Sequence, residues 1–251
     1  MKVVTINQVT IGSGTPKIIT PIVAKTAADI LLEAKKLNTL PCDLVEWRID
    51  FFEQVQDALT VAHLSQEIKK LLAKPLLITF RSQQEGGECP LSDTDYTKLY
   101  HTLLNEGQLD LLDIELFMPQ DIVSELIYLA HQKQVKVILC NHDFQATPEK
   151  AEIIRRLQLM QDLDADICKI AVMPQTPQDV LTLLAATEEM QRCFAKRPLI
   201  TMSMGRLGQI SRLTGELFGS AATFASAEQA SAPGQINVKQ LPEILKILHL
   251  H

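Results

Sequence analysis

No Cys-x-x-Cys pair occurs in this chain of 251 residues, whose five cysteines stand at 42, 89, 140, 168 and 193. Zinc sites and disulfide frameworks need paired, closely spaced cysteines, so reduced thiols in a cytosol are expected. Cys140 and Cys168 lie inside apolar runs and read as small buried hydrophobes. Glycine is scarce as well: there are ten, and none forms the Gly-x-Gly-x-x-Gly turn of a dinucleotide-binding open sheet. Only twelve residues are aromatic, and no basic stripe interleaves with them, which argues against nucleic acid as a partner. No apolar run approaches the ~20 residues of a membrane span. Polar residues interrupt the N-terminal segment too early for a signal peptide, so a cytoplasmic protein with no membrane partner is expected.

What the chain does have is a repeating pattern. Apolar, β-branched runs recur at Ile18–Val23, Leu44–Ile49, Leu76–Phe80, Leu111–Leu116, Val135–Cys140, Ile167–Val172, Leu199–Met204 and Ser220–Phe224. Continuous apolar character suits strands of a parallel sheet covered on both faces. Segments of helical periodicity lie between them, and Thr147-Pro148-Glu149 and Thr176-Pro177-Gln178 both read as capped helix starts. Eight such units predict a (β/α)₈ TIM barrel, an α/β fold, as a single domain over residues 1–251. The segment before Pro16 is expected to form a short hairpin closing one end.

A barrel places its chemistry at the C-terminal ends of the strands, facing inward. Charges stand there in period two, so each pair shares a face: Glu46 with Arg48, and Asp113 with Glu115. Glu46 and Arg48 could form a structural ion pair, and Asp113 is ambiguous. Arg81 ends the third run, Glu85 follows it, and His142 sits where the fifth run meets its loop. The other histidines fall on helices or the tail and carry no role.

Lys169 is the most informative residue, because it stands among Ile, Cys, Ile, Ala and Val. Burial disfavours its charged form and exposes a free amine able to attack a carbonyl and form a Schiff base. The competing reading is a lysine neutralised by Glu46 or Asp113. His142 would be the base of suitable strength, and Glu85 could orient it and stabilise its charged form. Arg212 could grip a carboxylate bidentately. Met202 and Met204 share one face and would make an apolar wall, or plain core. Residues 226–235, rich in small residues with a Pro233-Gly234 turn, suit a mobile loop over the mouth. Ser231 and Gln235 would offer it hydrogen bonds to a polyhydroxylated ligand.

The segments Glu46-Trp47-Arg48, Thr79-Phe80-Arg81-Ser82, Glu85-Gly86-Gly87-Glu88, Asn141-His142-Asp143-Phe144 and Lys169-Ile170-Ala171 together resemble type I 3-dehydroquinase. So do Met202-Ser203-Met204-Gly205, Ser211-Arg212, Phe218-Gly219-Ser220 and residues 230–235, in order along the chain. The resemblance implies a cofactor-free, metal-free lyase of the shikimate pathway that converts 3-dehydroquinate to 3-dehydroshikimate and water, and a homodimer. It implies Lys169 as the imine-forming nucleophile, His142 as general acid and base, and Glu85 as its partner. Glu46, Arg48, Arg81, Arg212, Ser231 and Gln235 would contact substrate hydroxyls or carboxylate, with Met202, Met204 and Phe224 as the apolar wall. Pro21, where many relatives carry a small hydroxyl residue, and Arg206 depart from the pattern.

Two rivals remain at this level. A class I aldolase would grip phosphate with glycine-rich turns after the last two strands, and no glycine pair follows Phe224. An inactive metabolite-binding barrel would tolerate loss of the nucleophile or base, yet Lys169 and His142 are both present. Metal-dependent hydrolysis would call for His-x-His on the first barrel strand, where Thr20-Pro21-Ile22 stands.

Overall fold

The computed structural model describes residues 3–250. Two three-residue strands, β1 (Val4–Ile6) and β2 (Val9–Ile11), pair antiparallel as a hairpin. Strands and helices then alternate: β3 (Lys17–Ile22), α1 (Ala27–Leu37), β4 (Leu44–Arg48), α2 (Ala58–Leu71), β5 (Leu76–Thr79), α3 (Asp93–Glu106) and β6 (Leu111–Glu115). The second half continues with α4 (Gln120–Gln132), β7 (Lys136–Asp143), α5 (Lys150–Asp162), β8 (Ile167–Val172), α6 (Pro177–Glu189) and β9 (Leu199–Ser203). Two short helices, α7 (Gln209–Leu213) and α8 (Gly215–Phe218), precede β10 (Ala222–Ser226), and β11 (Ile236–Asn237) and α9 (Leu241–Ile247) follow it.

Each strand from β3 to β8 pairs in parallel with the next, and β10 pairs in parallel with β3. The ring closes between β9 and the start of β10, where Leu199 bridges Ser220 and the Ala221 N–H donates to the Leu199 carbonyl at 2.7 Å. The eight strands β3–β10 therefore form a (β/α)₈ barrel.

Alternation along the strands sorts the apolar residues into two cores. One lies between sheet and helices and holds Val45, Trp47, Ile78, Leu112, Ile114, Val137, Leu139, Cys168 and Ile170. The other fills the barrel: Ile19, Leu44, Leu77, Leu111, Ile138, Ile167 and Ile200 make its floor, and Val4, Ile6 and Ile11 of the hairpin plug it from below. Both sides of the barrel strands are almost wholly buried, which is why their runs read as continuously apolar. One turn higher, the inward positions switch to Glu46, Thr79, Asp113, Cys140 and Lys169, all nearly inaccessible to solvent. A polar layer buried at the barrel's centre costs stability unless every group finds a partner, so it marks the site.

Helix starts follow local chemistry. Thr26, Asp57 and Ser92 accept from free N–H groups of α1, α2 and α3, and Thr176 with Asp179 forms a capping box on α6. The other threonine–proline start differs. Helix α5 begins at Lys150 with Glu149 before it, and the Thr147 hydroxyl donates instead to the Met173 carbonyl at 3.2 Å, joining two mouth loops. Strand β10 begins two residues later than its apolar run, because Ser220 is taken up by the closure contact.

Candidate active site

Lys169 projects from the middle of β8 into the barrel. Its Nζ lies 2.9 Å from Asp113 Oδ2 on β6 and 4.7 Å from the centre of the Phe224 ring on β10. Its immediate neighbours Cys168 and Ile170 point the other way, into the outer core. The amine thus has a charged partner, which the sequence offered as the competing reading, and burial alone does not set its state. Asp113, ambiguous in sequence, is the hub. Its Oδ1 accepts from Arg81 NH2 at 2.5 Å and from the Cys140 thiol at 3.0 Å. Burial pushes the Asp113 carboxyl up, but Arg81, Lys169 and the Cys140 hydrogen bond together hold it below the usual carboxylate range.

Arg81 is enclosed rather than reaching outward. NH1 donates to Glu115 Oε1 at 2.8 Å and to Cys140 Sγ at 3.1 Å, and Glu85 Oε2 lies 3.5 Å away. Burial works against its charge, yet Asp113, Glu115 and Glu85 raise its pKa well above the ordinary value. Cys140 is accordingly a hydrogen-bonding member of the polar layer and not merely a small hydrophobe. Its buried thiol is pushed well up and stays protonated as a donor.

His142, near the end of β7, is held by Glu85 from the loop after β5. Glu85 Oε2 lies 2.8 Å from Nδ1 and accepts from the His142 backbone N–H at 2.9 Å; Oε1 accepts from Asn141 Nδ2 at 3.0 Å. Nδ1 is engaged, which leaves Nε2 for the pocket. Burial, reinforced by Arg81, Lys169 and Arg48, pushes the imidazole well below the ordinary histidine range. Burial and the neighbouring Glu115 push the Glu85 carboxyl up to about 8, against the pull of Arg81. Both directions disfavour a separated ion pair, so Glu85 holds the ring in place without promoting a standing imidazolium. Gly86 permits the approach of this loop: any Cβ there would sit 2.4 Å from the Phe144 ring.

The remaining groups form the rim. Arg48 is bound at Nε and NH2 by Asp50, at 2.8 and 2.7 Å, and Glu46 accepts from the Thr79 hydroxyl at 2.8 Å, so these two do not pair with each other. Arg212, on α7, is 2% exposed, yet no carboxylate among the described residues pairs with it. Its contacts are the Pro233 carbonyl at 3.1 Å and Met202 Sδ at 3.5 Å, Nε has no partner, and burial pushes it down to about 10. A buried guanidinium without an anion is a receptor for one. Residues 231–235 cross the mouth, where Gly205 N–H donates to the Pro233 carbonyl at 3.1 Å and Arg48 reaches the Ser231 carbonyl at 3.5 Å. Ser231 and Gln235 are bonded to each other: the Ser231 N–H donates to Gln235 Oε1 at 3.0 Å, and Gln235 Nε2 to Ser231 Oγ at 2.9 Å. Their first task is to shape the loop.

All twelve residues singled out in sequence line one pocket: Lys169, His142, Glu85, Glu46, Arg48, Arg81, Met202, Met204, Arg212, Phe224, Ser231 and Gln235. Pro21 does not join them; it borders a separate cavity of about 260 Å³ against α1 and residues 227–229. Arg206 is exposed beyond the rim. Glu85, Cys140 and His142 are the one trio with metal-ligating spacing among the described residues. Glu85 bonds His142, and both Glu85 and Cys140 face the Arg81 guanidinium, so a cation placed there would meet that fixed positive charge.

The type I 3-dehydroquinase family model matches residues 18–251. The chain belongs to that family. A 3-dehydroquinate dehydratase of Enterococcus faecalis is 57% identical over 247 residues, covering 98% of each chain. The solved structure of the Enterococcus faecalis 3-dehydroquinate dehydratase superposes with a TM-score of 0.94, at 52% identity over 98% of this chain and 100% of the other. That of the type I enzyme of Clostridium difficile, with covalent modified comenic acid, gives 0.95, at 50% identity over 98% of each chain. Family and geometry together make the chain a hydro-lyase, a type I 3-dehydroquinate dehydratase activity, and set aside the aldolase and the inactive barrel. No helix among the described residues is long and apolar enough to cross a membrane.

Proposed function

We propose that the chain dehydrates 3-dehydroquinate to 3-dehydroshikimate through a Schiff base on Lys169, with His142 as general acid and base, in the shikimate route to aromatic amino acids. The observation that carries this reading is the pairing of a buried amine with a buried, anion-less guanidinium across one pocket. The amine suits a ring ketone and Arg212 suits a ring carboxylate. The substrate has both.

The steps follow from the charges. Lys169 adds to the ketone, two protons of its ammonium leave with the ketone oxygen as water, and the third remains on a protonated imine. That nitrogen keeps a positive charge, so Asp113 pairs with it as it paired with the ammonium, and no counter-ion need move. The imine withdraws electrons from the neighbouring carbon, whose proton passes to His142 Nε2. His142 then returns the proton to the departing hydroxyl, which leaves as water, and the imine hydrolyses to release an enone. Glu85 keeps Nδ1 occupied throughout. Glu46 and Arg48 bear on substrate hydroxyls, Arg81 holds the carboxylates beneath them, and Met202, Met204 and Phe224 exclude water. The pocket, open on one side, leaves only about 40 Å³ of free space, room for a few waters at most. The loop of residues 226–235 therefore lifts to admit substrate and closes over it. The mechanism needs no cofactor and no metal. The working unit we infer is a cytoplasmic homodimer of single-domain chains.

The test is turnover of 3-dehydroquinate, followed by the ultraviolet absorbance of the enone. The wild-type chain produces it with or without chelator. His142→Ala loses at least ~10²–10⁴-fold in kcat, because one group serves several proton transfers. Wild-type turnover in that variant, or loss of activity with chelator, contradicts the reading.

A further inference from the structure

Behind Glu85 runs a chain of hydrogen bonds that leaves the pocket. Glu85 Oε1 accepts from Asn141 Nδ2 at 3.0 Å, and Asn141 Oδ1 accepts from Arg156 NH1, on α5, at 2.8 Å. Arg156 is fixed in turn: its Nε donates to Glu152 Oε1 at 2.7 Å, one helical turn earlier, and its guanidinium lies 5.3 Å from the centre of the Phe117 ring. Its side chain is 16% exposed. Nothing in the dehydration itself calls for this arginine.

The donor inventory gives it a task. An amide has one accepting and one donating end, and a guanidinium can only donate. Arg156 therefore fixes the Asn141 oxygen toward itself and turns the NH₂ toward Glu85. With the amide reversed, its oxygen would face Glu85 and demand a proton on that carboxyl. We infer that Arg156 is a positioning residue for the acid–base pair: through Asn141 it holds Glu85 as an acceptor, so that His142 donates from Nδ1 and keeps Nε2 bare for the substrate proton. The inference rests on the assignment of His142 and Glu85 as that pair.

The consequence is a pH effect. Glu85 faces Arg81 at the end of β5, Glu115 on β6, and Cys140, Asn141 and His142 on β7; Arg48 and Lys169 act on the imidazole from β4 and β8. Arg156 faces Asn141, Phe117 and Glu152, and Arg155 shares Glu152. Removing Arg156 leaves these neighbours in place and frees only the amide. The carboxylate then loses a fixed donor, its affinity for a proton rises, and the pair retains its extra proton to higher pH.

The experiment is kcat and KM of Arg156→Ala, Arg156→Lys and Glu152→Gln from mildly acidic to alkaline pH, with His142→Ala at one pH. The acid limb of kcat in Arg156→Ala moves upward by about one pH unit, the scale of one hydrogen bond to a charged group. KM stays within about twofold, and kcat well above the limb approaches the wild-type value. Arg156→Lys, which can only donate, restores the limb, and Glu152→Gln shifts it part of the way. An unmoved limb in Arg156→Ala, with nothing but a lower melting temperature, means that Arg156 only packs α5 and overturns the inference. A shifted limb that lysine does not restore overturns the donor argument. Undiminished turnover in His142→Ala brings down the acid–base assignment itself, whatever Arg156 does.

Discussion

At the scale of single residues, the buried polar layer is one electrostatic unit. Arg81 and Lys169 bring two positive charges, and Asp113, Glu115 and Glu85 surround them. Because the partners are buried together, removing one leaves another unpaired, which costs far more than a surface ion pair. The Glu85–His142 contact gives the most direct pH test. In the wild type the acid limb of kcat belongs to the pair, since the two groups exchange protons. In Glu85→Gln the limb reports the imidazole, which burial and the cations Arg81, Lys169 and Arg48 push below the ordinary histidine range. Its protonation, and with it the loss of the base, is therefore delayed to lower pH. The expected outcome is a limb displaced downward, below the ordinary histidine value of about 6.5. A limb that stays put or rises contradicts the electrostatic account. Sequence made Lys169 and His142 legible because a lysine in an apolar strand and a histidine at a strand end are rare. It left Asp113 ambiguous and read Cys140 as a plain buried hydrophobe, since only the register that sets Cys140 beside Lys169 reveals what they bond.

At the scale of elements, strand periodicity carried the argument and the loops resisted it. Period two placed Glu46 with Arg48 on one face, but the partner of Arg48, Asp50, sits in the 3₁₀ turn Ile49–Phe51 that continues β4. Nothing in the apolar pattern announces that turn. Arg156 lay on a helix face, fifteen residues from its partner Asn141, and helical spacing could not connect them. The loop over the mouth was readable as a loop from its composition, while the mutual bonding of Ser231 and Gln235 was not. Gly234 supplies the handle for testing it. Its φ is +81°, and a Cβ there would lie 2.3 Å from the Gly205 carbonyl oxygen. Gly234→Ala should therefore strain the seated loop and leave the lifted one untouched. The strain, about 1–3 kcal/mol, converts to a KM higher by roughly 5–150-fold. The melting temperature should hardly change, because residues 227–235 bury little apolar surface. Faster hydrogen exchange across residues 226–235 would accompany the KM effect. An unchanged KM ends the proposed role of the loop as a lid.

At the scale of the whole molecule, the barrel explains why the site survives in a chain with so little glycine. A closed ring of strands has a floor of Leu44, Leu77, Leu111, Ile138, Ile167 and Ile200, a plug of Val4, Ile6 and Ile11, and a rigid wall for the layer above. The lysine's position is set by the packing of strands that come from the entire length of the chain. That is also why the fold was legible as eight repeats, whereas the closure through Leu199 and Ser220 and the added β11 were not. Those depend on contacts between distant segments and have no local signal. The central claim is that this architecture delivers one nucleophilic amine to one ketone. It is tested by treating the chain with 3-dehydroquinate and borohydride, then measuring intact mass and mapping the modified peptide. The account predicts one reduced adduct per chain, on Lys169, absent in Lys169→Met and still formed in His142→Ala. An unmodified chain, or an adduct on any other lysine, would contradict it.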